Sequence, residues 1–252
     1  AMVMLGIPSL STYRGNHASH LLFTRDKVTI AHIKNLTLKG GNIMVLNHPE
    51  ATQQALSILR SGDPFQWYVI TLLVIVLYIY ANEYERGNYR VIAAGLGLYM
   101  VHWFVEIINA LIQHFSGHAL WTAPTGTAFV IMVGVCIEIS LMFSIAGMVA
   151  VKLLPKDRSA KMLGINSRVF IALTSAAGAS ILEIFLVRTP TFVWVYNWWG
   201  AFPVFVTVYI PFFAAACYVH DWEPRAQKLF IGSLFVVNAM ALIVFAGILK
   251  WI

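Results

Sequence analysis

Residues 91–113 read VIAAGLGLYMVHWFVEIINALIQ, and this stretch decides the fold class. It holds one carboxylate and no lysine or arginine, and about 20 mainly apolar residues span a bilayer as a helix. Further apolar stretches of similar length are too long for the strands of a membrane barrel and lack their alternation. They cover residues 65–81, 125–154, 169–187, 198–218 and 229–251. The sequence therefore predicts an all-α integral membrane protein, a bundle of six transmembrane helices over residues 65–252.

The composition of the whole chain supports the same class. Only 11% of its 252 residues are charged and 59% are hydrophobic, whereas soluble domains carry about 25% charged residues. Two cysteines are too few for a secreted disulfide scaffold. The net charge of +6 is explained by basic loops that meet anionic lipid headgroups, so it gives no indication of nucleic-acid binding.

Lysine and arginine are distributed unevenly over the predicted loops. Nine basic residues lie in the loops after the first, third and fifth spans, whereas two lie on the opposite side. Because cytoplasmic loops are enriched in basic residues, those three loops are predicted to be cytoplasmic. A multi-pass protein of this orientation has residues 1–64 outside the cell.

Residues 1–64 are predicted to form a short extramembrane region. Alternating β-branched residues and Gly40-Gly41 predict a hairpin over 20–46, and a short amphipathic helix is predicted over 50–60. The spacing His17-x-x-His20 is compatible with a metal site, but in a polar loop it is more typical of solvated histidines. The region holds four of the eight histidines, namely His17, His20, His32 and His48.

Three glutamates lie within the predicted spans, each 13 to 15 residues from the start of its span: Glu106, Glu138 and Glu183. An acid at the centre of a bilayer costs about 2.5–3.5 kcal/mol on insertion scales, so such residues usually serve a function. Because consecutive spans run in opposite directions, all three are predicted to converge near the midplane.

The second span carries a polar stripe. His102, Glu106, Asn109 and Gln113 follow one another at i, i+4, i+7 and i+11, which places them on one face of a helix. Such a stripe must face the bundle interior or a wet cavity. An interhelical hydrogen-bond seam is the alternative, and it suits the two amides better than the adjacent His–Glu pair.

Further polar and aromatic residues are predicted to shape the same pocket. Glu183 follows a face of small residues that permits close helix approach, and Asn238 lies at mid-depth of the sixth span. For the tryptophans that begin the fifth span, an interfacial aromatic belt is the alternative. The predicted substrate-binding residues are Asn109, Glu183, Asn197, Trp198, Trp199 and Asn238.

These residues favour a membrane enzyme that carries out acid–base chemistry. His102 and Glu106 would form the proton-transfer pair, and Glu138 would act as the second acid or stabilise a developing cation. This chemistry suits isomerisation, hydration or cyclisation of a lipid-soluble substrate such as a sterol or isoprenoid. It needs no cofactor, and its partners would be that substrate and membrane lipid.

Two other classes remain open. In a metal-dependent oxidoreductase, or a subunit of one, an iron, copper or zinc ion would be bound by His102, Glu106, Glu138 and Glu183, although the Glu-x-x-His spacing of di-iron bundles is missing. In a proton-coupled transporter the glutamates would form a relay, although the sequence lacks the repeats typical of transporters. Partner subunits that complete the site also remain open.

The order of polar residues resembles that of the emopamil-binding-protein family of sterol isomerases. The likeness rests on His102-x-x-x-Glu106, on Cys136-Ile-Glu138 in the next span, and on Asn197 with its neighbouring tryptophans and Pro203. It implies that His102, Glu106 and Glu138 are catalytic, and that Asn197 with Trp198 or Trp199 lines a sterol pocket. The Asn–Trp spacing, the sixth span and the N-terminal region depart from the family pattern.

Overall fold

The computed structural model describes residues 46–252, and these form a bundle of apolar helices with short strands at its two ends. The predicted hairpin over 20–46 falls almost wholly outside the described residues, as do His17, His20 and His32. The helices of the described chain are α1 (Ala51–Ser57), α2 (Tyr68–Glu85), α3 (Tyr89–Ser116), α4 (Ile137–Val151), α5 (Ser167–Leu186), α6 (Ala201–Asp221) and α7 (Pro224–Ile248).

Short antiparallel strand pairs lie between the helices. Strand β1 (Trp121–Thr122) pairs with β6 (Val193–Trp194), so the segments before α4 and after α5 are joined. Strand β2 (Val130–Met132) pairs with β3 (Val135–Cys136), and β4 (Lys161–Met162) pairs with β5 (Ile165–Asn166). The first two pairs lie at the end of the bundle where α3 finishes and α4 begins.

Five of these helices, α2, α3, α5, α6 and α7, are long and apolar enough to cross a membrane, which confirms the predicted helical membrane class. The third predicted span needs a correction, because α4 is apolar but only 15 residues long. Residues 125–136 form a loop and the β2–β3 hairpin instead. The reason is local: Gly134 interrupts a β-branched run, and short apolar runs do not distinguish strand from helix.

Helix α3 is the central helix of the bundle, packed against α4, α6 and α7. Glycines allow this packing, since a Cβ at Gly147 would lie 2.7 Å from the carbonyl oxygen of Ala94, and one at Gly97 would lie 3.1 Å from Val219. Small residues let apolar helices approach closely. Because α3 is surrounded, the first three residues of its predicted polar stripe are buried, whereas Gln113 near the end of the helix is partly exposed.

Helix α6 contains a π-helical turn over Phe205–Tyr209, between Pro203 and Pro211. Proline lacks a backbone N–H and disturbs the regular hydrogen-bond pattern, and the hydroxyl of Thr207 donates to the carbonyl of Pro203 at 2.7 Å. A π turn changes the face that the residues around it present. Tyr209, the last residue of this turn, is buried against α5.

An intramembrane cavity beside two glutamates

A cavity of about 40 Å³ lies inside the bundle between α3, α4, α5 and α6. This volume has room for about three water molecules. Most of its wall is apolar, with Phe143 and Phe212 among the larger side chains. Four polar side chains also face it, and we call the space the intramembrane cavity: Glu106, Trp121, Glu183 and Tyr209.

Glu183 is held in this wall by two hydrogen bonds. The hydroxyl of Tyr209 and the indole N–H of Trp194 donate to its two carboxylate oxygens. The face of α5 that carries it also buries Ala176 and Ser180, which agrees with its predicted position on the small-residue side. Two donors stabilise the ionised form of a carboxylate, so this environment suits Glu183 as an anion.

Glu106 has a poorer set of partners. Its Oε1 accepts a hydrogen bond of 3.3 Å from the indole N–H of Trp121, and its Oε2 has no partner within the described chain. The side chain is 5% exposed. A buried carboxylate with one long hydrogen bond is expensive when ionised, so this environment suits the carboxylic acid.

The position of Trp121 is fixed by the polar stripe of α3. Asn109 accepts a hydrogen bond from the backbone N–H of Leu120 at 2.8 Å and donates one to the carbonyl of Trp121 at 3.0 Å. The Trp121 ring also stacks on Trp199, with 5.6 Å between the centroids. Asn109 therefore orients the cavity wall and does not line the cavity itself.

The β2–β3 hairpin closes directly over Glu106. A Cβ at Gly134 would lie 2.6 Å from the indole nitrogen of Trp121 and 2.9 Å from Oε2 of Glu106, and it would overlap the amide of Asn109. Only a residue without a side chain fits there. The close approach of the hairpin to Glu106 therefore depends on the glycine at this position.

His102 lies one turn before Glu106 and is 1% exposed. Its Nε2 is 3.6 Å from Oε1 of Glu106, and neither ring nitrogen has a hydrogen-bond partner among residues 46–252. The ring stacks on Phe143 with 4.6 Å between centroids, and Phe212 meets it edge-on. The distance to Glu106 exceeds a hydrogen bond, but catalytic contacts often shorten when substrate binds.

Glu138 lies away from the other two glutamates. Because α4 begins at Ile137, Glu138 is in the first turn of its helix and not at mid-depth. It accepts hydrogen bonds from the hydroxyl of Tyr68, from that of Thr127 at 2.6 Å, and from the backbone N–H of Ala128 at 2.7 Å. These contacts tie the loop before β2 to α2 and α4, so the predicted convergence of three glutamates reduces to two.

The remaining predicted substrate-binding residues, like Glu138, lie outside the cavity. Asn238 donates to the carbonyl of Met100 at 2.8 Å and joins α7 to α3, outside the cavity. Asn197 and Trp198 are exposed and precede α6, which begins at Ala201, whereas Trp199 is buried behind Trp121. The structure thus brings Glu106 and Glu183 to one cavity, with His102 beside Glu106, and leaves these other polar groups outside.

Three aromatic residues of the site, Tyr209, Trp121 and Trp194, are not among the residues that the sequence analysis predicts for it. Two of them lie in segments predicted as loops, where tryptophan is expected at the membrane interface. For Tyr209 a signal exists, because Pro203 and Pro211 flank the turn that carries it and π turns are frequent at functional sites.

An apolar groove on the surface of the bundle adjoins the wall of the cavity. Helices α4 and α5 meet loosely, and the groove between them has a volume of about 390 Å³. Its outer edge includes the exposed Val149 and Leu182. We call it the α4–α5 groove. It shares with the cavity Met142, Phe143, Glu183, Leu186 and Tyr209.

The ligand set predicted for a metal ion is not assembled. Within residues 46–252, no three side chains of histidine, cysteine, aspartate or glutamate lie close enough together to hold a metal ion. The displacement of Glu138 is one reason, since it removes one of the four predicted ligands from the cavity.

A family model described as "Uncharacterized membrane protein family" matches residues 49–247. A relative from Archaeoglobus fulgidus, described as "Uncharacterized protein", is 45% identical over 208 residues, which cover 81% of this chain and 99% of that protein. A second Archaeoglobus fulgidus protein with the same description is 40% identical over 50 residues, 19% of this chain and 89% of its own length. No solved structure matches.

These matches overturn the resemblance to the emopamil-binding-protein family, to which none of them points. The structure explains the error, because Glu138 and Asn197 carried the likeness but do not share a site with His102 and Glu106. Short polar motifs in apolar helices recur without a common fold. The family model and the five long apolar helices instead agree on a multi-pass membrane protein, and the chain belongs to the Uncharacterized membrane protein family.

Proposed function

We propose that this protein is a membrane enzyme that carries out acid–base chemistry on a double bond of a lipid-soluble substrate, such as an isoprenoid. One observation carries the proposal: Glu106 and Glu183, from different helices, line one small cavity, and part of its wall also lines an apolar groove on the bundle surface. Buried acids without cations are costly in a membrane and usually mark a functional site.

The two glutamates differ in their partners, and this difference assigns their roles. Two carboxyl groups beside one apolar cavity favour a shared proton over two charges. Glu183, with two donors, is the carboxylate and the general base; Glu106, with one long hydrogen bond, holds the proton and is the general acid. His102 lies beside Glu106 as a second proton carrier.

The proposed reaction is an isomerisation. Glu106 transfers its proton to one carbon of the double bond, and Glu183 removes a proton from the carbon next to the resulting cation. The double bond thereby moves by one position, and the proton on Glu183 returns to Glu106 through the cavity. Aromatic faces stabilise a cation between these steps, and Phe143, Trp121 and Tyr209 line the space where it forms.

The apolar wall of the α4–α5 groove indicates that the substrate is hydrophobic. Its wall is almost entirely apolar, and it reaches Glu183 and Tyr209 from the surface that faces lipid. A substrate dissolved in the bilayer can place its chain in the groove and its reactive carbons at the cavity. Hydration or cyclisation begins with the same proton transfer to carbon, so the same acid serves those reactions too.

The orientation in the membrane is proposed from the basic residues. The connections α2–α3, α4–α5 and α6–α7, together with the first five residues of the helix that follows each, carry nine lysines and arginines, and cytoplasmic loops are enriched in both. With these connections in the cytoplasm, the hairpin over Glu106 lies toward the outside.

Deuterium transfer tests the proposal even while the substrate is unidentified. The purified protein in detergent micelles is incubated in deuterium oxide with lipids extracted from the organism that encodes it, and mass spectrometry follows C–D bonds in those lipids. Wild type is expected to label one lipid class. Glu106→Gln and Glu183→Gln should each lower the labelling at least 100-fold, the usual contribution of a general acid or base being about 10²–10⁴.

Glu138→Gln is the matched variant, because it makes the same change at a partly buried carboxylate outside the cavity. It should keep the labelling of wild type in the protein that folds, as judged by size-exclusion chromatography. Equal loss in all three variants, or no labelling by wild type, would contradict the proposed function.

A further inference from the structure

A second opening lies at the other end of the bundle, between the start of α3 and the start of α7. This α3–α7 cleft has a volume of about 910 Å³, far larger than the intramembrane cavity. Its rim is polar and its inner wall is apolar. The exposed rim includes Asn88, Arg90 and Lys228, and the partly buried inner wall includes Ile92, Leu96 and Ile231.

The charge of the rim is uncompensated. Arg90 and Lys228 are exposed, make no ion pair within residues 46–252, and share the cleft with no acidic residue. Two other basic residues at this end are paired, since Lys152 binds Glu83 and Arg168 binds Asp221. Two unpaired cations at the mouth of one cleft attract an anion.

The inner wall of the cleft requires that the ligand also has an apolar part. Leu96 is six residues beyond Arg90 on α3, a rise of about 9 Å, and Ile231 lies one turn beyond Lys228 on α7. A Cβ at Gly232 would meet nothing within 4 Å, so this part of the cleft is open. The site therefore offers cations at its mouth and a hydrophobic wall deeper along the same two helices.

We propose that an anionic phospholipid occupies the α3–α7 cleft. Its phosphate lies between Arg90 and Lys228, and one hydrocarbon chain lies along Leu96, Ile231 and Gly232. The volume is within the range of about 300–1,000 Å³ typical of ligand pockets, and basic pockets between transmembrane helices bind anionic headgroups. A free phosphate ion would leave the apolar wall unfilled. This lipid site is independent of the chemistry proposed for Glu106 and Glu183.

Thermal unfolding of the detergent-purified protein, titrated with lipid, tests this site. Phosphatidylglycerol is compared with phosphatidylcholine of the same chains, because a ligand that binds the folded state raises the Tm. Wild type should be stabilised by phosphatidylglycerol and much less by phosphatidylcholine. The double variant Arg90→Gln/Lys228→Gln should bind phosphatidylglycerol about 25-fold more weakly, because each basic residue contributes roughly fivefold.

Arg86→Gln/Arg225→Gln is the matched control. It removes the same charge from the same end of the bundle, but neither residue lines the cleft. It should retain the affinity of wild type for phosphatidylglycerol. An equal loss in both double variants would show attraction to diffuse surface charge and overturn the proposal, as would unchanged affinity in Arg90→Gln/Lys228→Gln.

The hydrocarbon chain has its own test. Gly232→Leu fills the open wall and leaves both cations in place, so it should weaken phosphatidylglycerol binding at least tenfold. Gly178→Leu makes the same change in the α4–α5 groove, where a Cβ also meets nothing within 4 Å, and it should not affect this binding. Stabilisation of wild type by inorganic phosphate alone, equal to that by the lipid, would overturn the assignment to a phospholipid.

Discussion

Tyr209 on α6 donates a hydrogen bond to Glu183 on α5, and both side chains line the intramembrane cavity. The contact depends on the π turn over Phe205–Tyr209, which presents the hydroxyl toward α5. Regular α-helix through this region would place Tyr209 on a different face. The irregular turn is therefore part of the site, because it supplies one of the two donors that hold the carboxylate.

Tyr209→Phe is predicted to destabilise the protein by about 1.5–3 kcal/mol, the range for a hydrogen bond to a charged group. The phenyl ring keeps the packing, so the loss should come from the missing hydroxyl. Chemical unfolding in mixed micelles measures the free energy of unfolding of wild type and variant.

A double-mutant cycle with Glu183→Gln identifies the partner. If the hydroxyl acts through the carboxylate, Tyr209→Phe should cost far less in the Glu183→Gln background. Additive losses would mean that the hydroxyl of Tyr209 stabilises the bundle independently of the carboxylate of Glu183.

Asn109→Ala is predicted to cost roughly 2–4 kcal/mol, because the backbone N–H of Leu120 and the carbonyl of Trp121 would both lose a partner in the interior. Asn238→Ala, which removes one hydrogen bond at the α3–α7 seam, should cost less. Urea-dependent unfolding followed by tryptophan fluorescence measures both. Equal losses would show that Asn109 belongs to an ordinary helix seam, as the alternative interpretation of the stripe holds.

Gly134→Ala is predicted to destabilise the protein by about 1–3 kcal/mol, the cost of overpacking. The added methyl group would press on Glu106, Trp121 and Asn109. Gly178→Ala is the control: its Cβ points into open space within α5, so the gain in helix propensity should stabilise by about 0.5–1 kcal/mol. Thermal unfolding should give opposite signs, and a neutral Gly134→Ala would mean that the hairpin does not close tightly over Glu106.

The residues of the site that share a helix face could be predicted, because the helical period is a local property of the sequence. His102 and Glu106 share a face of α3 by spacing alone, and Glu183 follows a face of small residues on α5. For Glu138 the apolar run places the start of the span at residue 125, whereas α4 begins at Ile137. That shift of 12 residues moves the carboxylate from mid-membrane to the end of the helix.

The non-helical part of the site depends on tertiary contacts that the sequence does not display. Trp121 and Trp194 belong to facing strands of a two-residue pair, and each donates to a different glutamate. Pairing of such short strands is set by the helices that position them, since two residues carry too little pattern to predict a partner.

Arg168 and Arg158 both face Asp221, and their different burial gives the last prediction. Arg168 donates to Asp221 at 2.7 Å and to the carbonyl of Asp157 at 2.8 Å, and its side chain is 5% exposed. Arg168→Met leaves Asp221 without its buried partner and should cost about 3–5 kcal/mol. The exposed Arg158 lies 3.9 Å from Asp221, so Arg158→Met should cost about 0–1 kcal/mol.

Unfolding in detergent at low and high salt measures the loss of stability in both variants, and salt should reduce the effect of Arg158→Met more than that of Arg168→Met. Losses of equal size would mean that the ion pair does not join α5 to α6.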